Sequence, residues 1–298
     1  MILSHQKTSV PELDADFTLR SLVHPRYRVQ FVCNKKVISD DALLKRALAP
    51  ERHISRPVIM VVLEGRARMR AYGSEKWLGP GDVGLAGCKE AIEMRREGEM
   101  FRSIMIEWDP ERGLGEHLPA SLEVATVQPI LSKLGSCVER LLDVETCTDE
   151  AAVHLHDVLA LLAVSGMPLR APPPSELIAL VSPQEAHLSR ALDVALSELS
   201  AQPMVIDLTR ALGVSARHVS RLVSSFNERY GFTSRNWCGT RTRRRLQLAA
   251  GFMALDGATT ELVARRVGYM SPSAFCRALA LAGLPSPRKV REAVRSLQ

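Results

Sequence analysis

The 298-residue sequence lacks closely spaced cysteines, long apolar runs and an apolar N-terminal segment. The absence of any C-x-x-C pair argues against a zinc site or a dithiol redox centre and is typical of free thiols in a reducing compartment. The longest apolar runs, such as 58–63, are far too short to cross a bilayer, and residues 1–16 contain no stretch of signal-peptide length. We therefore predict a cytoplasmic protein with no membrane contact, no metal and no cofactor. The scattered cysteines are Cys33, Cys88, Cys137, Cys147, Cys238 and Cys276.

The sequence also has none of the short motifs that carry common enzyme chemistry. There is no phosphate-binding Gly-rich loop, no G-x-S-x-G and no Cys–His signature. We interpret Asp82 and Glu107 as ordinary carboxylates of an N-terminal sheet, in a region where His53 has no second histidine nearby. His154 and His156 form an H-x-H, but on a predicted helix, where positions two apart point away from each other. We predict a protein without enzymatic activity.

Positive charge is present, and it is unevenly distributed. From Pro183 to the end, 17 Lys and Arg face 8 Asp and Glu, a net charge of +9, whereas residues 1–182 hold 22 basic and 25 acidic residues, a net charge of −3. A basic half beside a slightly acidic half predicts a polyanionic partner for the basic half alone. A solvated basic face is the alternative.

The N-terminal region, to about residue 120, is predicted to be an antiparallel β-barrel, which makes the fold class α+β. Ala67, Met69 and Ala71 alternate with arginines, as in a half-buried strand. Turns are predicted at Glu64-Gly65 and at 78–82. The strand-length apolar runs are Tyr27–Val32, Val58–Leu63, Ala67–Ala71, Gly81–Ala86 and Phe101–Ile106.

Two helices are predicted between 128 and 169, where apolar residues recur at intervals of three and four. Their apolar stripes either pack on the barrel or form the seam of a homodimer. Three prolines at 172–174 then predict a stiff linker over 171–181 between a domain at 1–170 and a domain at 182–298. The candidate dimerisation residues are Ile130, Leu134, Val138, Leu141, Leu155, Leu159 and Leu162.

A helix-turn-helix unit is predicted from Leu208 onward. Gly213 permits the left-handed turn between two helices, and Ser215 stands where the second helix needs an N-cap. Val219, Leu222 and Phe226 are predicted to be the buried face of that second helix. The N-terminal residues of such a helix contact base edges in the major groove. The candidate DNA contacts are Arg217, His218, Ser220 and Arg221.

A second copy of this design is predicted from Thr259 onward. Gly268 is the turn, Ser271 the cap and Pro272 the first helical residue, while Phe275 and Leu279 anchor the helix. The exposed side of this helix is poor in polar residues. The candidate DNA contacts are Ser271, Ser273, Ala274 and Arg277.

Between the two copies, four arginines are predicted to precede an amphipathic helix that begins near Leu246. Such a cluster can neutralise phosphates beside both units, or it can be merely solvated. Its members are Arg241, Arg243, Arg244 and Arg245.

The last 110 or so residues resemble the DNA-binding domain of the AraC/XylS family, in which a linker helix joins two helix-turn-helix units. Val223 stands where the family usually has Phe, a role that the sequence transfers to Phe226. The matching residues are Leu208, Gly213, Ser215, Val219 and Arg221, then Arg245 and Ala249, then Val263, Ala264, Gly268, Tyr269, Phe275, Arg277, Pro287 and Arg291.

The N-terminal region is similar, through its LEG and PGD segments, to the small cupin-like barrel of that family. The resemblance implies an activator that binds double-stranded promoter DNA, contacts RNA polymerase and responds to a small-molecule or protein effector. The stretch 268–273 is similar to that of members governing type III secretion and virulence genes. A non-specific nucleic-acid-binding protein or a protein-interaction scaffold is the alternative function.

Overall fold

The computed structural model describes residues 2–36, 56–87, 93–109, 121–143, 148–178, 181–230, 232, 234, 236–253 and 255–295. The fold is α+β, with strands first and helices after them. The strands are β1 (Ile2–Val10), β2 (Ala15–Val23), β3 (Tyr27–Lys35), β4 (Val58–Ala71), β5 (Ser74–Leu78), β6 (Asp82–Ala86), β7 (Glu93–Trp108) and β8 (Glu123–Thr126). The helices are α1 (Leu131–Leu141), α2 (Thr148–Val164), α3 (Pro174–Leu177), α4 (Pro183–Ser197), α5 (Val205–Leu212), α6 (Ala216–Arg229), α7 (Trp237–Met253), α8 (Thr260–Arg266), α9 (Pro272–Leu281) and α10 (Pro287–Arg295).

The strands form one sheet in the order β1-β2-β3-β7-β4-β6-β8, with β5 paired to β4. The pairs that β4 makes with β5, β6 and β7 are antiparallel, as predicted. Within the described ranges the order is a path with two ends, so the predicted barrel is an antiparallel sheet that does not close into a ring. His53 lies outside the described residues.

One of the two predicted turns, at Glu64-Gly65, is wrong, because it lies within strand β4. The chain does not reverse at Glu64-Gly65: β4 continues to Ala71, and its pairing with β7 shifts register on both sides of Glu64. Gly65 has a φ of 80°, so a glycine here makes a bulge, which bends a strand without ending it. The turn at 78–82 is confirmed, since the Gly79 N–H donates to Asp82 Oδ2 at 2.7 Å between β5 and β6.

A buried core of the N-terminal region lies between one face of the sheet and helices α1 and α2, and a second buried cluster is made by strand residues such as Met60, Met69 and Phe101. Ile59, Val61 and Ile106 from the sheet are buried with the apolar stripes of both helices. Six of the seven candidate dimerisation residues are buried in this core and Ile130 packs against it, so the stripes serve intramolecular packing and cannot also be an exposed seam. The six are Leu134, Val138, Leu141, Leu155, Leu159 and Leu162.

The triple proline begins inside this region. His156 Nδ1 lies 2.9 Å from the Pro172 carbonyl oxygen, and the Tyr27 hydroxyl donates to the Leu177 carbonyl at 2.7 Å. Leu177 of α3 is buried in the same core. The first part of the predicted linker is therefore packed, and α4 begins at Pro183, one residue after the predicted start of the second domain.

The chain divides into two compact units. The first comprises Met1–His5, Leu19–Cys33 and Ile54–Ser182, and the second comprises Gln6–Thr18, Asn34–His53 and Pro183–Gln298. Residues 6–18, which end β1 and begin β2, thus belong to the same unit as the C-terminal helices. The sequence did not predict this. No helix among the described residues is long and apolar enough to span a membrane.

Candidate nucleic-acid interface

The first helix pair consists of α5 and α6, joined at Gly213. Gly213 has a φ of 66°, the left-handed conformation in which a side chain would be strained, and its N–H bonds to the Thr209 carbonyl. The Ser215 hydroxyl accepts a hydrogen bond from the His218 N–H at 3.3 Å, which caps α6 as predicted. Val219, Val223 and Phe226 are buried, whereas Leu222 is only half-buried, so Val223 takes the inward position assigned to Leu222.

The opposite face of α6 is polar and exposed. Arg217, Ser220 and Arg221 are exposed near the helix N-terminus, and His218 beside them is half-buried. Arg221 Nη2 lies 3.2 Å from His218 Nδ1, and Gln184 Nε2 lies 3.3 Å from His218 Nε2. Because a guanidinium only donates, His218 Nδ1 accepts from Arg221. His218 thereby holds Arg221 in place.

The second helix pair consists of α8 and α9, joined at Gly268. The Thr259 and Ser271 hydroxyls cap the two helices by accepting from the Leu262 and Ala274 N–H groups at 3.1 and 3.2 Å. Gly268 has a φ of 85°, and a Cβ there would lie well under 3.0 Å from the Leu199 carbonyl oxygen. Two requirements, turn conformation and close backbone approach, thus select glycine at this position.

The anchoring residues of the second pair are confirmed. Val263, Ala264, Phe275 and Leu279 are buried, and the Tyr269 ring contacts Phe275 at a centroid distance of 5.4 Å. The outward face of α9 exposes Ser273, Cys276, Arg277 and Ala280, while Ala274 is half-buried.

The four arginines lie within α7 and do not precede it, because the helix begins at Trp237. This prediction of the helix start is wrong, for a physical reason: arginine is itself a good helix former, so the cluster extends the helix. Arg244 and Arg245 are each only 7% exposed, and Arg241 donates to the Pro203 carbonyl at 2.6 Å. Arg243 is half-buried, and burial lowers the pKa of its guanidinium.

Arg244 and Arg245 contact aromatic rings. The Arg244 guanidinium lies 4.7 Å from the Phe17 centroid, and that of Arg245 lies 5.2 Å from the Tyr269 centroid. Among the described residues, Nε and Nη2 of both have no hydrogen-bond partner, so the rings are the main compensation for their burial. Burial lowers the pKa of Arg244 to about 10, against the opposing effect of Asp193. In this conformation neither residue is available to a phosphate.

Arginines that the sequence did not single out are exposed on the first helix of each pair. Arg210 lies in the last turn of α5 and Arg265 in the last turn of α8. In a helix-turn-helix, the first helix crosses the phosphate backbone. Their position in the last turn, before the glycine, is a sequence signal that could have found them.

Residues 6–18, which end β1 and begin β2, contact helices of the second compact unit, to which they belong. Glu12 forms an ion pair with Arg266 of α8, and that contact lowers the pKa of the Glu12 carboxyl. Gln6 Nε2 donates to Asp193 of α4 at 3.2 Å, and the Lys7 N–H donates to Ser197 Oγ at 3.3 Å. These contacts join residues more than 180 positions apart, so no local pattern predicts them.

Among the described residues, no group of three His, Cys, Asp or Glu side chains is arranged to hold a metal ion. Asp82 serves the turn before β6, and Glu107 is buried near Arg28, whose charge it stabilises.

Several solved structures are similar to this chain. They include the AraC-like transcriptional activator CuxR, with 15% identity over 81% of this chain and 83% of that one and a TM-score of 0.36. ToxT from Vibrio cholerae O395 has 11% identity over 92% and 99%, with a TM-score of 0.36. The putative glyoxylate induced protein of Pseudomonas aeruginosa has 17% identity over 38% and 42%, with a TM-score of 0.29.

No protein-family model matches the chain, and no curated protein matches it at a significant level. CuxR is described as AraC-like, the name of the family that the C-terminal residues resemble.

Proposed function

We propose that the protein is a cytoplasmic, sequence-specific DNA-binding transcription regulator without enzymatic activity, acting as an activator. The observation that carries the proposal is the repeated design of the two helix pairs. Each has a glycine of positive φ at its turn, a serine-capped second helix and exposed arginines. We interpret both pairs as helix-turn-helix units, with α6 and α9 as recognition helices.

The two recognition helices divide the contacts with double-stranded promoter DNA. Arg217, Ser220 and Arg221 present donors at the exposed start of α6, where a guanidinium can bind guanine O6 and N7 bidentately. Ser273 and Arg277 face outward from α9. Arg210 and Arg265 are suited to phosphates, which position the protein without reading sequence. Because Arg244 and Arg245 are buried, they support the units from within and do not belong to this interface.

The N-terminal region is proposed to control DNA binding in response to a small-molecule or protein effector. What supports this is that β1 and β2 are divided between the two units: their residues 6–18 contact α4, α7 and α8 inside the second unit, while the rest of both strands belongs to the first. Contact with RNA polymerase and control of virulence or type III secretion genes are proposed from the family resemblance alone.

A homodimer is proposed as well, through the exposed side of α2. Val153 is 47% exposed and Val164 is 89% exposed, while the inward stripe of this helix is occupied by the core. Sedimentation of the full chain and of Val164→Glu tests it: a dimer that the variant converts to a monomer supports this surface, and a wild-type monomer rejects the dimer.

The experiment that tests the proposed function measures the affinity of the full chain for a selected promoter fragment and for random DNA over a range of salt. A sequence reader keeps a specificity ratio of about a thousandfold or more at physiological salt. A ratio near one, with affinity that falls steeply as salt rises, would support the alternative of non-specific nucleic-acid binding.

A further inference from the structure

The two proposed recognition helices present different chemistry at the same place in their folds. The outward face of α6 carries donors, namely Arg217, Ser220 and Arg221. On α9 the exposed residues Cys276 and Ala280 are apolar and lie on one face with Ser273 and Arg277, since positions three and four apart are neighbours on a helix.

Apolar side chains continue beyond both ends of this face. Met270, just before the Ser271 cap, is 81% exposed, and Leu281, in the last turn, is 84% exposed. A helix whose buried side is already filled by Phe275 and Leu279 does not need these residues for its own packing. An outward apolar face is therefore explained better by a partner than by the fold.

The position of α9 and the charge around it distinguish a DNA partner from an apolar protein surface. The face begins at a capped N-terminus, and it carries Arg277, with Arg265 exposed on the preceding helix of the pair. That charge favours a polyanion over an apolar protein surface. In the major groove, the C5-methyl group of thymine is the apolar feature that distinguishes one base from another.

We propose that α9 reads thymine methyl groups through Cys276 and Ala280. The binding site then has two unlike blocks about one helical turn apart, a guanine-containing block for α6 and a thymine-rich block for α9. Arg277 supplies the polar contact of the second block. The inference rests on the proposed function and names the bases that the second helix pair recognises.

The test replaces thymine by deoxyuridine in a fragment selected by the full-length protein. This substitution removes the methyl group and leaves base pairing unchanged. Footprints of the wild type and of Arg277→Ala identify the block that α9 contacts. Uracil in that block should weaken binding about three- to fivefold for each contacted methyl, since one buried methyl group is worth about that factor. Uracil in the α6 block should change affinity less than twofold.

A double-mutant cycle assigns the effect to the side chain. Cys276→Ser should weaken binding to thymine DNA and leave binding to uracil DNA unchanged, because the methyl group it would contact is already absent. Thermal melting checks that this exposed substitution leaves the fold intact, and Cys238→Ser, at the exposed cysteine of α7, is the matched control.

Three outcomes overturn the inference while the proposed function stands: no effect of uracil, an effect confined to the α6 block, or strictly additive effects of uracil and Cys276→Ser. If no fragment is selected over random DNA, the proposed function fails and the inference fails with it.

Discussion

At the scale of single residues, arginines of the consecutive helices α6 and α7 have opposite environments. Arg217 is exposed at the start of α6, whereas Arg245 is buried against Tyr269. Removal of the Arg217 side chain should therefore lower discrimination between bases, and removal of the Arg245 side chain should lower the stability of the fold.

Arg217→Ala should reduce base discrimination. The variant loses a potential bidentate contact with guanine, so its preference for the selected sequence over a single-base mismatch should fall by about 1–3 kcal/mol. Competition binding with the matched and mismatched fragments measures this. Arg170→Ala, which removes one exposed arginine from the first unit, is the control, and equal losses in the two variants would contradict a base contact by Arg217.

Arg245→Ala should destabilise the fold. It removes the contact with the Tyr269 ring and leaves a gap beside Gly268, so the free energy of unfolding should fall by about 1–3 kcal/mol in urea denaturation. The dependence of DNA affinity on salt should keep its slope, because no phosphate contact is lost. A slope smaller by about one with unchanged stability would return Arg245 to the DNA interface.

The sequence predicts the caps and turns of the two helix pairs, but it does not predict that arginines of α7 are buried. Ser215, Gly213 and Gly268 act within a few residues of themselves, and local patterns reveal such roles. The rings that cover Arg244 and Arg245 are Phe17 and Tyr269, one of which is more than 220 residues away. A contact of that separation leaves no trace in spacing or composition.

At the scale of elements, the two turn glycines are not equivalent. Gly213→Ala meets open space and should cost about 1–2 kcal/mol, the expense of the left-handed conformation alone. Gly268→Ala adds a collision with the Leu199 backbone, so we expect a larger loss in free energy of unfolding. Urea denaturation of both variants measures the difference, and equal losses would mean that the second turn does not need its close approach.

Strand β4 and helix α7 show where prediction of elements fails. A glycine after an apolar run predicts a turn, but the continued pairing of β4 with the 16-residue strand β7 makes Gly65 a bulge. The arginine cluster was placed before a helix because it is charged, although arginine favours helix. In both cases the element is present: pairing with β7 sets the extent of β4, and the helix propensity of arginine extends α7 toward its N-terminus.

At the scale of the whole molecule, Glu12, near the start of the chain, pairs with one of the cations of the C-terminal helices, Arg266 of α8. Glu12→Gln should release Arg266 from its ion pair and add one cation to the surface of α8. We expect the dependence of DNA affinity on salt to steepen by about one phosphate contact. Salt titration of binding by the full chain measures this.

Asp14→Asn is the matched control, because that carboxylate pairs with Lys35 and Lys36 instead of a helix. The salt slope should stay at the wild-type value for this variant. If Glu12→Gln also keeps the wild-type slope, the contact at Arg266 has no bearing on DNA binding.

Selection of genomic DNA fragments by the purified full-length protein at physiological salt tests whether the protein reads sequence. We expect enrichment of a shared motif with two contact blocks about one helical turn apart. Uniform recovery of all fragments, lost together as salt rises, would contradict it.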